Sequence, residues 1–168
     1  DTGIRDRDGF NGIDPTSSER RDSWSVTNQR HSGRCWEFAG LNVIRAQVMR
    51  NLNIDNLEFS QNHIAFFDKI EKVNFAFARA VETIGLPDGD EQVRDLLGEL
   101  GDGGYWPQFV DIVGKYGLVP QWAMPDTESS GNTGRMNRAL EKLVRRVVDQ
   151  SRAARGAGDQ DTRIAAAR

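Results

Sequence analysis

A single cysteine lies in the segment of this sequence with the clearest chemical potential. Cys35 follows a glycine-containing polar loop, residues 27–33, and begins an apolar pattern with helical spacing. The N-terminus of a helix carries partial positive charge and free backbone N–H groups, which stabilise a thiolate, the nucleophilic form of the side chain. Gln29 lies six residues earlier, where a folded-back loop can direct its carboxamide N–H toward an oxyanion beside the sulfur. The position predicts a nucleophile, with a small buried hydrophobic cysteine as the alternative.

Nucleophilic catalysis by a thiol also needs a general base, and the chain contains two histidines. His31 lies four residues before Cys35 in the polar loop, and His63 falls in the first turn of a later helical pattern. We interpret both as structural or surface residues, with His31 as the better of the two candidates for a base. A single cysteine excludes an internal disulfide and a cysteine-rich zinc site, and two histidines leave few ligands for a histidine metal centre. We expect no metal and no cofactor.

The composition is that of a globular chain rather than a disordered or fibrous one. The chain has 168 residues, of which 38% are hydrophobic and 28% charged, and its formal net charge is −3. This balance argues against a protein built mainly to bind nucleic acid or an anionic membrane. No apolar run approaches the roughly 18 residues that a membrane helix needs, and no secretory leader opens the sequence.

The C-terminal part of the sequence has a different charge from the rest. Residues 135–168 carry nine basic and four acidic residues, whereas residues 1–134 have a net charge of −8. We favour a solvated basic helix as the explanation over a surface that binds a polyanion. A nucleic-acid-binding module ranks low, because no aromatic residue follows Trp122 to stack on bases.

The elements that must position Cys35 are predicted to be helices. From residue 34, apolar residues recur at the spacing of a five-turn helix with one buried face: Trp36, Phe38, Leu41, Ile44, Val48, Met49 and Leu52. Residues 51–57 form a turn region. Ser60 is predicted to be the N-cap of a second helix, with Phe59 and Ile64 as a hydrophobic staple. That helix carries an apolar stripe at spacings of three and four, and a proline with two glycines ends it: Phe66, Ile70, Val73, Phe77, Val81, Ile84; Gly85, Pro87, Gly89.

Shorter helices are predicted in the second half of the sequence. A short helix is expected over residues 91–100, a glycine-rich break over 101–104 and a loop over 118–134. Between the break and the loop, Pro107 suits the first turn of a helix and Gly117 its C-terminal stop. The predicted core face of that helix consists of Phe109, Val110, Val113 and Tyr116. A last helix is expected over residues 136–152, and no stretch shows sustained strand alternation.

Residues 26–42 resemble the active-site motif of papain-like cysteine peptidases. The closest resemblance is to the bleomycin hydrolase/aminopeptidase C branch, in which the sequence Ser-Gly-Arg-Cys-Trp, here residues 32–36, is typical. Further similar segments follow in the order of that branch: residues 59–61, 66–74, 102–106, 115–120 and 124–133. The resemblance covers residues 24–147, most of the chain.

The resemblance implies roles for four residues. Cys35 matches the nucleophile that attacks the scissile carbonyl and forms an acyl-enzyme. Gln29 and the backbone N–H of Cys35 match the oxyanion hole. Gly103 and Gly104 match the pair whose backbone aligns the substrate in extended form, where the missing Cβ allows close approach. The alternative for the two glycines is a simple loop before a helix.

Two neighbours of Cys35 are assigned less specifically. Trp36 is expected to pack beside the site. Glu37 stands where the branch has an apolar residue, and helix position alone does not show whether its side chain faces solvent.

The resemblance also implies residues that this sequence does not contain. Papain-like catalysis needs a histidine and usually an asparagine about 130 residues or more after the cysteine, in a β-rich second half. Residues 36–168 include no histidine beyond His63 and no β-rich segment. We therefore predict an N-terminal arm over residues 1–23, the helical half of a papain-like peptidase over 24–150, and an Ala/Arg-rich tail over 151–168 that begins a missing remainder.

The resemblance implies an α+β papain-like fold for the full enzyme, with this chain as its mainly α-helical N-terminal half. It further implies a cytoplasmic, homohexameric cysteine aminopeptidase that acts on peptides with a free N-terminus, without metal or cofactor. The chain alone would lack the His/Asn half. The alternative is a non-catalytic fragment or pseudo-enzyme whose helical surface serves only assembly.

Overall fold

Helices dominate the part of the chain that the structure describes. The computed structural model describes residues 25–83, 85–87, 90–95, 100–153 and 165. The helices are α1 (Cys35–Leu52), α2 (Gln61–Glu82), α3 (Glu91–Asp95), α4 (Trp106–Tyr116), α5 (Glu128–Gly131) and α6 (Gly134–Ala153). Among these residues, extended pairing is limited to two isolated bridges, His31 with Asn132 and Phe59 with Pro120. The prediction of a mostly helical chain is confirmed for the described residues, whereas the predicted arm and most of the predicted tail lie outside them.

Helix α1 has the predicted length, and its buried face is shorter than predicted. Leu41 and Met49 are buried, but Leu52 is 63% exposed. The prediction for Leu52 is wrong because residues 51–56 are all exposed, so no described segment covers the C-terminal end of α1. Asn53 ends the helix in the left-handed conformation with φ of 51°, and its N–H donates to carbonyls of the last turn.

Helix α2 begins at the predicted cap. The Ser60 side chain accepts a hydrogen bond from the His63 N–H at 2.9 Å, which satisfies one of the free donors of the first turn. Phe59 and Ile64 belong to the same apolar cluster, as the predicted staple requires. The local sequence therefore determines this helix start.

The predicted apolar stripe of α2 is only partly buried. Val73 and Phe77 are half-buried against an apolar cluster shared with α6, Ile84 lies outside the described residues, and the first part of the stripe is exposed. Phe66 is 51% exposed and Ile70 is 41% exposed. The buried side of the helix combines small apolar residues with charged ones: Ala65, Ala76, Ala80, Asp68, Lys69 and Lys72. This face is buried because it packs against α4, α6 and the glycine-containing segment 100–104, where the charged groups find partners.

Helix α4 has the predicted ends and a rotated core face. Pro107 lies in its first turn, and Gly117 ends it with φ of 72°, a conformation that favours glycine. Phe109 is buried as predicted, but Val110 is 47% exposed and Ile112 is buried in its place. The face is turned toward α1 and α2, which together meet Ile112 rather than Val110.

The remaining connections are shorter or more structured than predicted. Only Glu91–Asp95 of the predicted helix 91–100 is described as α-helix, and residues 96–99 lie outside the described part. The predicted loop 118–134 contains α5, whose capping box joins Thr127 and Ser130. A serine in place of the usual Glu or Gln concealed that signal in the sequence. Helix α6 begins at Gly134, two residues before the predicted start.

Two apolar clusters place α2 at the centre of the described structure. One lies between α1, α2 and α4 and consists of Leu41, Phe59, Ile64, Phe109 and Ile112. The other joins α2 to α6 and consists of Ala76, Ala80, Leu100, Val144 and Val148. The first cluster brings α1 and α4 together, so Cys35 and the segment before α4 share one side of the structure. The described helices include none with the length and hydropathy needed to span a membrane.

Candidate active site

Cys35 is the first residue of α1, and its side chain is exposed. Arg34 precedes it as the N-cap residue and makes no side-chain capping bond. The first backbone N–H groups of an α-helix have no intrahelical acceptor, so this end of α1 keeps positive potential for an anion. The exposure of Cys35 excludes the alternative of a buried hydrophobic cysteine, and its role as nucleophile stays a prediction.

The loop before α1 is closed by reciprocal hydrogen bonds between Gln29 and Ser32. Gln29 Nε2 donates to the Ser32 carbonyl at 2.7 Å, and Ser32 Oγ donates to the Gln29 carbonyl at 2.6 Å. Arg30, between them, has φ of 52°, and its N–H donates to Asn28 Oδ1 at 2.8 Å. A carboxamide NH₂ group has two hydrogens, of which this bond uses one, and the role of Gln29 in an oxyanion hole stays a prediction.

Arg34 is a buried anchor for this loop that sequence analysis missed. Its residue is 1% exposed, and its guanidinium lies 5.4 Å from the centre of the Phe38 ring. Nε donates to Ser32 Oγ at 3.0 Å, and Nη1 lies 3.6 Å from Asp126 Oδ1. The available signal was a basic residue at an N-cap position, where Ser, Thr, Asp or Asn is usual.

Asp102 joins four segments of the site. Its carboxylate accepts hydrogen bonds from the Gly33 N–H at 2.9 Å, from Asn137 Nδ2 at 2.8 Å and from the Thr133 hydroxyl. Lys69 Nζ lies 2.9 Å from Oδ1. Burial alone would raise the pKa of Asp102, but the hydrogen bonds from these four residues outweigh it and hold the pKa well below its ordinary value. Asp102 is therefore an ionised hub that attaches the loop before Cys35 to α2 and α6.

The two glycines differ in their surroundings. A Cβ at Gly104 would lie 2.4 Å from Trp36 Cε2, whereas a Cβ at Gly103 would meet no atom of the described residues within 4 Å. The Trp36 indole N–H also donates to the Asp102 carbonyl at 2.7 Å. The structure thus brings Gly104 against the residue that follows Cys35 and leaves Gly103 facing open space. These contacts agree with the packing role expected of Trp36.

Neither histidine is placed as an evident partner of a thiolate. His31 is exposed, and its backbone N–H donates to the Gly131 carbonyl at 3.0 Å. His63 is 8% exposed, its ring meets Phe67 edge-on at 4.9 Å between centroids, and its Nε2 has no hydrogen-bond partner in the described part of the chain. Among the described residues, no group of three His, Cys, Asp or Glu side chains could hold a metal ion.

Glu37 is buried beside Cys35 and Trp36. It is 1% exposed, and Oε2 has no hydrogen-bond partner among the described residues. Burial raises the pKa of Glu37 well above its ordinary value, and the positive charge of Arg34 opposes this effect without cancelling it. The question that helix position left open is therefore answered, since Glu37 faces the interior.

A cavity of about 310 Å³ begins next to the glycine pair. Tyr105, the residue after Gly104, forms one wall. The other lining residues come from α2 and α4: Glu71, Pro107, Gln108, Asp111, Ile112, Lys115 and Tyr116. The cavity is therefore a partly apolar groove between α2 and α4, and Tyr105 is its link to the glycine pair.

Comparison with known families accounts for this arrangement. The sequence model of the Peptidase C1-like family matches residues 12–168. The chain belongs to the Peptidase C1-like family. The cysteine, the loop before it and the glycine pair all fall within the matched region.

Relatives of this Peptidase C1-like chain include named aminopeptidases. Aminopeptidase C of Lactobacillus delbrueckii subsp. lactis is 38% identical over 135 residues, which are 80% of this chain and 30% of that protein. Bleomycin hydrolase of Homo sapiens is 41% identical over 123 residues, 71% of this chain and 27% of that protein. The chain therefore spans about 30% of the length of the curated relatives it matches.

A solved structure has the same arrangement of helices. The crystal structure of PepW from Lactobacillus rhamnosis HN001 matches 96% of this chain with a TM-score of 0.87 and 34% sequence identity. The match covers 36% of the PepW chain. The described helices therefore correspond to one part of the larger PepW structure.

Proposed function

We propose that this chain is the nucleophile-bearing part of a cysteine aminopeptidase, with Cys35 as the nucleophile. The observation that supports the proposal is the exposed thiol at the start of α1, beside a glycine pair that Trp36 and Asp102 attach to the same helix. The relatives named aminopeptidase C and bleomycin hydrolase support the same reaction class.

The proposed reaction is acyl transfer to sulfur followed by hydrolysis. The Cys35 thiolate attacks the carbonyl carbon of the scissile bond, a C–S bond forms, and the carbonyl π electrons move to oxygen. The Cys35 backbone N–H and the second hydrogen of the Gln29 carboxamide donate to that oxyanion. Collapse of the intermediate breaks the C–N bond, the leaving amine takes a proton, and water then hydrolyses the thioester and regenerates the thiol.

The proposed substrate is a peptide with a free N-terminus that lies along Gly103 and Gly104. The open space beside Gly103 supports this placement, because an extended peptide backbone needs close approach there. The neighbouring cavity of about 310 Å³, with Tyr105 in its wall, has room for a substrate side chain.

A base from outside these 168 residues completes the proposed enzyme. His31 is exposed and held by its backbone, and His63 is buried against Phe67, so neither supplies an evident proton acceptor for Cys35. We infer that a histidine and an asparagine in a further, β-rich half perform that role. The complete enzyme would then have an α+β papain-like fold, with the cleft between the halves.

The same proposal extends to location and assembly. The resemblance to the bleomycin hydrolase/aminopeptidase C branch leads us to propose a cytoplasmic homohexamer. A free, exposed cysteine fits a reducing compartment, where thiols stay unpaired. Sedimentation of the longer polypeptide would test the hexamer.

Turnover of an aminoacyl-coumarin substrate tests the proposed function. We expect no useful turnover by the 168-residue chain, because loss of general acid–base help costs about 10²- to 10⁴-fold and the described residues offer no evident donor to protonate the leaving amine. A longer polypeptide that includes the second half should turn over the substrate, and Cys35→Ala should abolish that activity.

Two outcomes would contradict the proposal. Activity of the longer polypeptide that survives Cys35→Ala would exclude Cys35 as the nucleophile. Activity of the 168-residue chain that is lost in both Cys35→Ala and His31→Ala would identify His31 as the base and make the second half unnecessary. A longer polypeptide without activity would favour a non-catalytic role in assembly.

A further inference from the structure

Helix α2 buries two lysines against the segment that contains the glycine pair. Lys69 is 8% exposed and Lys72 is 7% exposed, although lysine is almost never buried unless it is paired. They lie three residues apart on α2, on the face that packs against residues 100–104. Their burial therefore needs an explanation in terms of what they hold.

Each ammonium group has three acceptors for its three hydrogens. Lys69 Nζ contacts the Leu100 carbonyl at 3.0 Å, the Gly101 carbonyl at 2.8 Å and Asp102 Oδ1 at 2.9 Å. Lys72 Nζ contacts the Gly101 carbonyl at 2.9 Å, the Gly103 carbonyl at 2.6 Å and Asp68 Oδ2 at 2.8 Å. The two cations thus bind three backbone carbonyls of the short segment 100–104, those of Leu100, Gly101 and Gly103.

The bond from Lys72 to Gly103 determines the direction of the next peptide N–H. The described residues contain no cis peptide bond. In a trans peptide the C=O and the following N–H point in opposite directions. Because the Gly103 carbonyl points inward to Lys72, the Gly104 N–H points away from α2.

The same segment is attached to the helix that carries Cys35. Lys72 Nζ lies 5.8 Å from the centre of the Trp36 ring, and that ring packs against the Gly104 backbone. The distance between the thiol and the glycine backbone is therefore set from two sides, by Trp36 on α1 and by the lysines on α2.

We propose that Lys72, assisted by Lys69, is a positioning residue that orients the Gly103–Gly104 peptide for an extended substrate next to Cys35. The inference rests on the proposed function, because the glycine pair is its substrate-binding element. Lys72 itself touches no reacting atom and acts through the backbone.

The test compares two electrophiles on the longer polypeptide that includes the proposed second half, because the proposed cleft is complete only there. A dipeptidyl chloromethyl ketone needs alignment along the glycines to react quickly with Cys35, whereas iodoacetamide needs only the thiolate. The ratio of the two second-order rate constants therefore reports alignment and cancels changes in thiol reactivity. Cys35→Ala supplies the background for both reagents.

Three variants separate positioning from burial of charge. Asp68→Asn keeps the Lys72 contacts with Gly101 and Gly103. We expect this variant to have the same ratio of rate constants as the unsubstituted polypeptide. Lys72→Met combined with Asp68→Asn removes those contacts without leaving a carboxylate unpaired, and we expect the ratio to fall about 10- to 100-fold, as for a misplaced binding element. Lys72→Arg keeps the charge with a planar head group, and we expect a fall of about threefold.

The possible outcomes distinguish this inference from the proposed function. If the unsubstituted longer polypeptide shows no preference for the peptidyl reagent, the proposed function fails and this inference fails with it. If the preference exists and the double variant keeps it within about twofold, the inference alone is wrong. If the double variant loses its helical circular dichroism, the Lys72→Arg variant becomes the deciding test. An unchanged ratio of rate constants in that folded variant overturns the inference.

Discussion

Asp102 stabilises the structure in its ionised form. Its side chain is 9% exposed and pairs with Lys69. Its carboxylate also accepts hydrogen bonds from Thr133, Asn137 and the Gly33 N–H. These donors outweigh the effect of burial and depress its pKa. A depressed pKa stabilises the fold above the unfolded value of about 3.9, and this stabilisation is lost as the pH falls through the folded value.

Asp102→Asn should therefore destabilise the chain most at neutral pH. We expect a loss of about 2–4 kcal/mol in the free energy of unfolding at pH 7, because Lys69 is left buried without its carboxylate. The difference from the unsubstituted chain should shrink as the pH is lowered from 5 toward 2. Urea denaturation across that range measures it, and the exposed Asp111→Asn is the control, with an expected change within about 0.5 kcal/mol. A loss that is the same at pH 2 and pH 7 would contradict the ionised-hub interpretation.

Glu37 presents the opposite case, since burial raises its pKa. A raised pKa means that stability is fully present below the unfolded value of about 4.3 and is lost as the pH rises through the folded value. Glu37→Gln keeps the shape and stays neutral. We expect the variant to be more stable than the unsubstituted chain by about 1 kcal/mol or more at pH 8 and equal to it near pH 4. Thermal denaturation at both pH values checks this, and a destabilised variant at pH 8 would show that Glu37 is stabilising as an anion.

At the scale of elements, helix ends were predictable and buried faces were not. Ser60, Pro107 and Gly117 act on their own turn of backbone, so the sequence alone located them correctly. Which face of α2 is buried depends on acceptors some thirty residues away in segment 100–104. Phe66 and Ile70 looked like the inward face because apolar spacing carries no information about such partners.

In the candidate site too, local features were predictable and long-range contacts were not. Cys35 was located correctly because a loop and a helix start are local features. Asp102 and Arg34 were missed because their roles arise from contacts distant in sequence, as in the hydrogen bond between Gly33 and Asp102. Spacing patterns over 11–18 residues do not report contacts across 69 residues.

Alanine substitutions at Gly103 and Gly104 test how α1 packs against segment 100–104. Gly104→Ala should destabilise the chain by about 1–3 kcal/mol, because the new methyl group would overlap the Trp36 ring and force α1 and segment 100–104 apart. Gly103→Ala should change stability by less than about 0.5 kcal/mol, because its methyl group would meet no atom. Guanidinium denaturation of both variants measures the contrast. Equal effects at the two positions would contradict the described packing of Gly104 on Trp36.

At the scale of the whole molecule, large apolar side chains remain uncovered on several helices. Phe66, Phe75, Trp106 and Trp122 are each more than half exposed. Contiguous apolar patches larger than a few hundred Å² are rare on soluble monomers and mark interaction surfaces. The chain also spans only about 30% of its relatives, so a larger protein has other residues to cover these side chains.

The isolated chain should therefore bind apolar dyes and associate. We expect fluorescence enhancement of an anilinonaphthalene dye and sedimentation above the monomer mass, because exposed aromatic groups lose contact with water when chains meet. Replacing Phe66 and Ile70 together by serine should weaken both signals, whereas serine at the exposed residue Ala123 should not. A compact monomer without dye binding would show that these residues form a complete domain.

The attachment of the Cys35 loop to distant residues has a consequence for synthesis on the ribosome. Gly33 depends on Asp102, and Asp102 in turn depends on Thr133 and Asn137. Because translation adds about 5–20 residues per second, roughly 5–20 s separate the emergence of the thiol from that of its last anchor. During that interval α1 can form, and segment 100–104 can meet Lys69 and Lys72 once it emerges, but Asp102 still lacks the donors Thr133 and Asn137 that complete its attachment to Gly33. The nascent chain thus carries its cysteine without an organised site until most of the helical region has been made.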